Sequence, residues 1–152
     1  KEIINKTKQM RHLISIIIFF TALNLHAAKD FEISSPDGKI HVSVLINNGI
    51  KLNVTQNGKF LFSASNIEMH LMDGKILGIG NVKRSDIKYY NQIIKPVLKE
   101  KVEKIIDSYK ELKIDFNESY TLLVRVYNNG ISYRFITNFK KDIIIVSEKM
   151  EV

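Results

Sequence analysis

The sequence contains no cysteine among its 152 residues. Disulfide bonds, zinc–thiolate sites and thiol nucleophiles are therefore excluded, and so is an anchor formed by a lipidated cysteine. The sequence also has no basic block with interleaved aromatic residues, although its net charge is +7. Residues 1–27 hold a surplus of three of these charges, and the rest are spread thinly along the chain. The sequence therefore predicts no nucleic-acid partner.

The composition is that of one ordinary domain. Hydrophobic residues make up 45% of the chain and charged residues 26%, which is typical of a globular protein and argues against a disordered one. A chain of this length can bury a real core. The sequence shows no catalytic constellation, so its function has to be inferred from other features.

Residues 1–27 read as upstream residues followed by a signal peptide. Lys8 and Arg11 precede an apolar run at residues 13–23, and Ala27 and Ala28 offer a small-residue cleavage site. The run is shorter than the ~20 apolar residues that cross a bilayer. A buried strand or an anchor helix is the alternative for this run. We expect cleavage after Ala27, secretion of residues 28–152 to the periplasm, and no membrane anchor in the mature chain.

Turn-forming residues punctuate the rest of the chain at short intervals. Between them lie short runs rich in β-branched residues. This spacing predicts an all-β fold of antiparallel strands, a sandwich or barrel-like sheet, over residues 31–146. The predicted turns are Pro36-Asp37-Gly38, Asn47-Asn48-Gly49, Gln56-Asn57-Gly58, Asp73-Gly74 and Asn128-Asn129-Gly130. The predicted strands are residues 41–46, 50–55, 60–62, 67–72, 114–116, 120–127, 131–137 and 143–146.

The clearest hairpin lies at residues 122–136. Apolar or aromatic residues recur at every second position on both sides of Asn128-Asn129-Gly130, at positions 122, 124 and 126 and again at 131, 133 and 135. Asparagine and glycine tolerate the positive φ angles that a tight two-residue hairpin turn requires. We therefore predict two half-buried strands that are joined by a turn with left-handed backbone.

Residues 97–112 fit two secondary structures. Five apolar residues recur at helical spacing after Pro96, and Glu100 and Lys104 form an i, i+4 pair. Local periodicity therefore favours an amphipathic helix. The alternative is a strand that enters a turn at Asp107-Ser108, with its charged residues alternating toward solvent.

Candidate metal, phosphate and sugar sites are sparse. His41 and His70 occupy predicted strand positions, and Glu68 with His70 lacks the further ligands that a metal site needs. The glycines of residues 78–81 follow no strand–helix fingerprint, so we expect a connector and not a phosphate loop. The pair Tyr89-Tyr90 could stack on a sugar, but we expect it to be partly buried packing.

Four carboxylates are candidates for acid/base chemistry, which paired carboxylates perform. They could form such a pair only if the fold gathered them. We expect them instead to keep a sheet edge soluble. These residues are Asp107, Glu111, Asp115 and Glu118.

Four short segments stand in a fixed order behind the predicted signal peptide. They are SPDGKI at residues 35–40, GNVKRS at 80–85, YKELKI at 109–114 and RVYNNGISYRF at 125–135. In this order and spacing, the chain from residue 33 to about residue 146 resembles the N-terminal domain of glycoside hydrolase family 97. The last segment is the closest match.

The resemblance implies an antiparallel β-supersandwich of the galactose-mutarotase type, in which residues 97–112 become strand, bend and strand. It implies that residues 28–152 are the first part of that domain, with Val152 about midway. In this family the domain precedes a (β/α)₈ barrel that hydrolyses α-glucosidic or α-galactosidic bonds and supplies the catalytic carboxylates. Calcium binds at the barrel mouth, with a glutamate from a later part of the N-terminal domain. Glu148 and Glu151 come too early to take that role.

We therefore expect the N-terminal fragment of a secreted glycoside hydrolase, a non-catalytic scaffold or carbohydrate-binding region beside an absent barrel domain. No catalytic, cofactor-binding or metal-binding residue is expected in this chain, and alone it should be inactive and bind no calcium tightly. The alternative is a stand-alone carbohydrate-binding or structural surface β module. A carbohydrate-binding face would have to use Tyr89, Tyr90, Tyr127 and Tyr133.

Overall fold

The computed structural model describes residues 29–96 and 104–152, where every regular element is a β-strand. The all-β prediction is therefore confirmed for these residues, whereas the predicted signal peptide lies outside them. Within the same ranges no helix is long and apolar enough to cross a membrane. The strands are β1 (Lys29–Ser34), β2 (Ile40–Ile46), β3 (Ile50–Gln56), β4 (Lys59–Leu71), β5 (Ile76–Leu77), β6 (Val82–Ile94), β7 (Ile105–Phe116), β8 (Tyr120–Tyr127), β9 (Gly130–Thr137) and β10 (Ile145–Glu151).

The strands form two antiparallel sheets. The first sheet has the order β1-β2-β3-β4-β10, with the short β5 paired to the end of β4. The second sheet has the order β6-β7-β8-β9. Most neighbours in each sheet are also neighbours in sequence, so tight hairpins supply most of the connections.

The hydrophobic core lies between the two sheets. In β2, Val42 and Val44 are buried while His41 is exposed, because successive side chains of a strand point to opposite faces. In β8, Leu122 and Val124 face the same core from the other sheet. β1 lies over β7 and β2 lies over β8. The second sheet therefore extends past β1 on the side of β6.

All five predicted turns are present, but they do not share one backbone conformation. Asn57-Gly58 has positive φ at both residues, 51° and 76°, as a two-residue hairpin prefers. Asn128 and Asn129 have no positive φ, so the prediction of left-handed backbone there is wrong. The Oδ1 of Asn128 instead accepts the Asp37 N–H at 3.0 Å. This asparagine therefore links a turn of one sheet to a turn of the other.

β4 is longer than the sequence predicts. Residues 60–62 and 67–72 read as two strands, whereas one strand runs over Lys59–Leu71. Asn66 lies within it at a φ of 52°, where the register with β10 shifts. Such a bulge bends a strand. The first half of β4 pairs with β3 and its second half with β10.

Local periodicity favours a helix at residues 97–112, and this prediction is wrong for the part of the segment that the structure describes. Residues 105–112 belong to β7, as the family resemblance implies, and residues 97–103 lie outside the described ranges. β7 pairs with β6, a strand that the sequence did not predict. Cross-strand pairing and the burial of Leu112 outweigh the helical spacing. The final strand begins at Ile145, two residues later than predicted.

Candidate functional site

Three of the four candidate carboxylates lie on one face of β7. Asp107, Glu111 and Asp115 share the outer face of the second sheet, away from the core. They stand four residues apart, which along a strand is about 13 Å. Carboxyl pairs that cleave glycosides are separated by about 5–9.5 Å. The fold therefore gathers these carboxylates on one face without forming such a pair.

Glu111 is paired with an arginine of the neighbouring strand. Arg125 Nε donates to Glu111 Oε2 at 2.6 Å, and both side chains are largely shielded from water. The guanidinium lies 4.6 Å from the centre of the Tyr109 ring. Burial of that ring raises the pKa of the Tyr109 hydroxyl. A carboxylate that is held in an ion pair in this way has a structural role and is not available as a general base.

Asp115 is held from both sides. The Thr121 hydroxyl donates to Oδ1 at 2.6 Å, and Arg84 Nε donates to Oδ2 at 2.5 Å. Burial raises the pKa of this carboxyl, but the hydrogen bonds from Thr121 and Arg84, together with the positive charges of Lys113 and Arg84, outweigh burial and lower the pKa overall. The ionised form therefore dominates at neutral pH. That state suits an ion pair and does not suit a general acid.

Three tyrosines form a row on the same outer face. Tyr90, Tyr109 and Tyr127 are register neighbours on β6, β7 and β8, and adjacent ring centres are 4.9 and 5.0 Å apart. A ring that stacks on a ligand needs a free face. Here the central ring is covered by its neighbours and is buried. Tyr89 and Tyr133 lie on the opposite face of the sheet from Tyr90 and Tyr127, so the fold does not bring all four candidate tyrosines onto one face.

Glu118 and Tyr120 hold the connector between β5 and β6. The Glu118 carboxylate accepts the Asn81 N–H, at 3.2 Å from each oxygen. The Tyr120 hydroxyl accepts the Gly78 N–H at 3.2 Å and donates to the Ile79 carbonyl at 3.1 Å. Burial raises the pKa of this phenol. The glycine-containing segment is therefore a connector that the side chains of Glu118 and Tyr120 hold in place.

His41 and His70, the two histidines within the described residues, lie on the outer face of the first sheet. His70 Nε2 is 2.9 Å from Glu68 Oε2, and these residues are two apart on β4. His41 is exposed on β2. Within residues 29–96 and 104–152, no three histidine or carboxylate side chains are grouped so that they could hold a metal ion.

A cavity of about 520 Å³ lies at the end of the sandwich beside the connector. Its lining is mainly apolar and includes Leu77, Tyr120 and Phe139, together with Lys75 and Glu118. Lys75 Nζ lies 5.2 Å from the centre of the Phe139 ring and covers one of its faces. The lining therefore offers few polar groups that could orient a substrate.

Sequence reasoning missed the partners that hold these side chains. Arg125 pairs with Glu111 because they are register neighbours across the β7–β8 hairpin. The short polar turn at residues 117–119 could have indicated that register. Tyr120 reaches Gly78 across 42 residues, and no local pattern signals a contact of that range.

The amino-acid sequence matches a known protein family and a curated protein. A family model described as Glycosyl-hydrolase 97 N-terminal matches residues 33–152. A retaining alpha-galactosidase of Bacteroides thetaiotaomicron is 30% identical over 135 residues, which cover 88% of this chain and 20% of that protein. The chain thus spans about a fifth of the length of the curated relative that it matches.

Solved structures show the same fold at low sequence identity. A glycoside hydrolase family 97 enzyme from Pseudoalteromonas sp. strain K8 in complex with acarbose has a TM-score of 0.65 at 13% identity, covering 78% of this chain and 19% of that one. A beta-arabinopyranosidase has a TM-score of 0.67 at 17% identity, covering 79% of this chain and 20% of that one. The resemblance read from the sequence is thereby confirmed: this chain belongs to the glycosyl-hydrolase 97 N-terminal family.

Proposed function

We propose that this chain is the first part of the N-terminal β-sandwich domain of a secreted glycoside hydrolase, and that it is a non-catalytic scaffold beside a (β/α)₈ barrel. The family match over residues 33–152 carries the proposal. The ion pairs that hold Glu111 and Asp115 support a non-catalytic role. Secretion to the periplasm rests on the signal-peptide pattern of residues 1–27.

The substrates we propose are α-galactosides or α-glucosides. The curated relative is named a retaining alpha-galactosidase, and a family 97 enzyme with the same fold is described in complex with panose. Two carboxyl groups of the barrel would flank the scissile bond, and their separation would set the stereochemical outcome. Calcium, where the whole enzyme binds it, would be held by residues outside this chain.

A stand-alone carbohydrate-binding or structural surface module is the second candidate. The exposed ring of Tyr89, which is 58% accessible, is the observation that favours sugar binding. The stacked row of Tyr90, Tyr109 and Tyr127 favours packing instead. Isothermal titration of residues 29–152 with galactose and maltose tests the carbohydrate-binding form of the second candidate, because a sugar-binding module should give saturable heat, whereas a scaffold or a structural surface module should not.

The proposal is tested by sequencing the gene beyond the codon for Val152 and by expressing both lengths of polypeptide. We expect the longer reading frame to encode a (β/α)₈ barrel. We expect the longer polypeptide to hydrolyse an aryl α-galactoside or α-glucoside. We expect residues 29–152 alone to show no turnover, because isolated carboxylates on strands supply neither a positioned acid nor a shielded cleft.

Two results would overturn the proposal. The first is a longer reading frame that encodes no barrel. The second is turnover by residues 29–152 above a buffer blank that Asp115→Asn or Glu118→Gln abolishes. The second result would reveal a self-contained site on this sandwich.

A further inference from the structure

The tetrapeptide Asn-Asn-Gly-Ile occurs twice in the chain, in two different structural settings. The first copy, residues 47–50, connects β2 to β3, and the second, residues 128–131, connects β8 to β9. A third asparagine–glycine pair, Asn57-Gly58, lies in the hairpin between β3 and β4. Because the two tetrapeptides have the same local sequence, a difference in their chemical reactivity has to come from the fold.

An asparagine that precedes glycine can lose its side-chain amide in a reaction with its own backbone. The glycine nitrogen gives up its proton to water and attacks Cγ of the asparagine, so that a C–N bond forms, the Cγ–Nδ2 bond breaks and ammonia leaves. Water then opens the cyclic imide at Cγ to give aspartate, or at the backbone carbonyl carbon to give isoaspartate. The reaction needs no oxidant, but it needs a glycine N–H that is free of hydrogen bonds and a backbone that can turn toward Cγ.

The first copy meets both requirements. Asn48 and Gly49 lie in a bend, and in the part of the chain that the structure describes neither of their N–H groups donates a hydrogen bond. Gly49 has a φ of 151°, in a region that glycine enters more easily than other residues do. Asn48 is exposed and lines a cavity of about 210 Å³ at the surface, so water reaches its amide. The nucleophile, the amide and the water are therefore all available at this position.

The second copy is held in its sheet. Gly130 is the first residue of β9 and pairs with Tyr127 across a two-residue loop. The backbone hydrogen bonds of such a closing pair engage the Gly130 N–H. The turn is also tied to the first sheet, because Asn128 Oδ1 accepts the Asp37 N–H at 3.0 Å. Attack on Asn129 by the Gly130 nitrogen therefore requires local opening of the hairpin first.

The hairpin at Asn57 lies between these two cases. The Gly58 N–H donates no hydrogen bond within residues 29–96 and 104–152. The Asn57 N–H, however, donates to the Lys39 carbonyl at 2.8 Å, and a strand pair closes the loop directly beside the turn. The backbone of Asn57 is therefore less free to turn than that of Asn48.

We propose that Asn48 is a site of spontaneous deamidation in the folded chain, with the Gly49 nitrogen as nucleophile and water as co-reactant, and that the fold protects Asn57 and, more strongly, Asn129. Either product carries a negative charge where the amide was neutral. Isoaspartate also lengthens the backbone of the β2–β3 loop by one carbon atom. The inference goes beyond the proposed function and does not depend on it, since it requires neither a barrel nor a sugar.

The test is peptide mapping by mass spectrometry while the purified chain is incubated in mildly alkaline buffer. Each conversion raises the mass of its peptide by the difference between an amide and an acid, and chromatography separates the aspartyl from the isoaspartyl form. Asn48 should react at least about tenfold faster than Asn129, because about 1.4 kcal/mol, the upper range for one backbone hydrogen bond, is tenfold in rate. Asn57 should react at an intermediate rate.

Incubation in concentrated urea is the matched control. Asn48 and Asn129 share their local sequence, so their rates should become similar once the chain is unfolded. Two variants give a second readout by ion-exchange chromatography of the folded chain. Asn48→Gln should remove most of the acidic form that accumulates, because glutamine would have to close a larger ring, and Asn129→Gln should leave that accumulation unchanged.

Four results would overturn the inference. Reaction of Asn129 or Asn57 in buffer as fast as that of Asn48 would mean that the hydrogen bonds of these turns do not select the site. A ranking that persists in urea would assign the preference to sequence and not to the fold. No conversion at Asn48 in buffer, although it reacts in urea, would mean that the fold protects this loop too. An acidic form that accumulates as fast in Asn48→Gln would place the reaction elsewhere, and none of these results bears on the proposed function.

Discussion

Ile87 and Leu112 are cross-strand neighbours on one face of one sheet, yet their surroundings differ. Ile87 on β6 is 50% exposed, and Leu112 on β7 is 1% exposed. The first sheet covers β7 and stops before β6. Pairing and alternation therefore decide which face a side chain occupies, whereas a second layer decides whether that face is buried.

The two flanks of the sandwich differ in the same respect. β6 shows Ile87 and Tyr89 on its inner face. β10, at the opposite flank, pairs Glu148 with Met69 and so places a charge on the inner face beside Tyr133. Burial and the Glu148 charge raise the pKa of the Tyr133 hydroxyl. An inward-pointing charge discourages the addition of a further strand. Packing of further protein on the inner face of β6 would therefore bury more apolar surface than packing on that of β10.

The largest expected effect comes from truncating the two neighbours in residues 29–152. Leu112→Ala should lower the free energy of unfolding by about 2–5 kcal/mol, because it opens a cavity between the sheets. Ile87→Ala should cost less than about 1 kcal/mol, since only strand propensity and a partial contact are lost. Urea titration of both variants gives the two values. Equal costs would mean that β6 is already covered in this chain, for example by self-association.

The next effect concerns the connector between β5 and β6. Gly78 has a φ of 104°, and a Cβ there would lie 2.2 Å from the Ile67 carbonyl oxygen. Gly78→Ala should therefore cost about 1–3 kcal/mol of unfolding free energy. Gly130→Ala is the control, because a Cβ there meets no atom within 4 Å. Thermal unfolding that ranks Gly130→Ala as the more harmful change would contradict the assigned role of the connector.

The turns and strands that depend on neighbouring residues could be predicted from the sequence. Asn57-Gly58 marks its hairpin because both residues accept positive φ, and residues 40–46 alternate because one face is covered. β6 was missed since its inner face mixes Ile87 with polar residues, so no clean period-2 pattern remains. The helix expected at residues 105–112 failed because pairing with β6 and β8, a long-range effect, outweighed local spacing.

The candidate site was less accessible to prediction. A strand pattern can place Glu111 and Asp115 on one face once β7 is known. It cannot tell that Arg125 and Arg84 hold them, because those partners come from neighbouring strands through the register. Asn128 shows the same limit, since its role lies in an inter-sheet hydrogen bond and not in the turn backbone that its residue type suggests.

A pH titration would extend the comparison to the outer face of β7. The pKa of the Asp115 carboxyl is lower in the folded chain than its ordinary value of about 3.9. Its contribution to stability is therefore present above that ordinary value and is lost as the pH falls through the folded pKa. Asp115→Asn should lower the Tm at pH 7 and flatten its fall below about pH 4. Asp86→Asn is the exposed control, and an identical acid profile for both variants would contradict this role.

The smallest expected effect lies at the hydrogen bond that joins the two sheets through their turns. Asn128 Oδ1 accepts the Asp37 N–H at 3.0 Å, and Asn128→Ala should cost about 0.5–1.5 kcal/mol because that exposed donor can turn to water. Asn129→Ala, in the same turn, should cost less, because Asn129 has no positive φ that would require asparagine. Denaturant unfolding of the two variants side by side measures the difference. If Asn129→Ala proves the costlier change, the turn backbone and not the inter-sheet bond sets the preference for asparagine here.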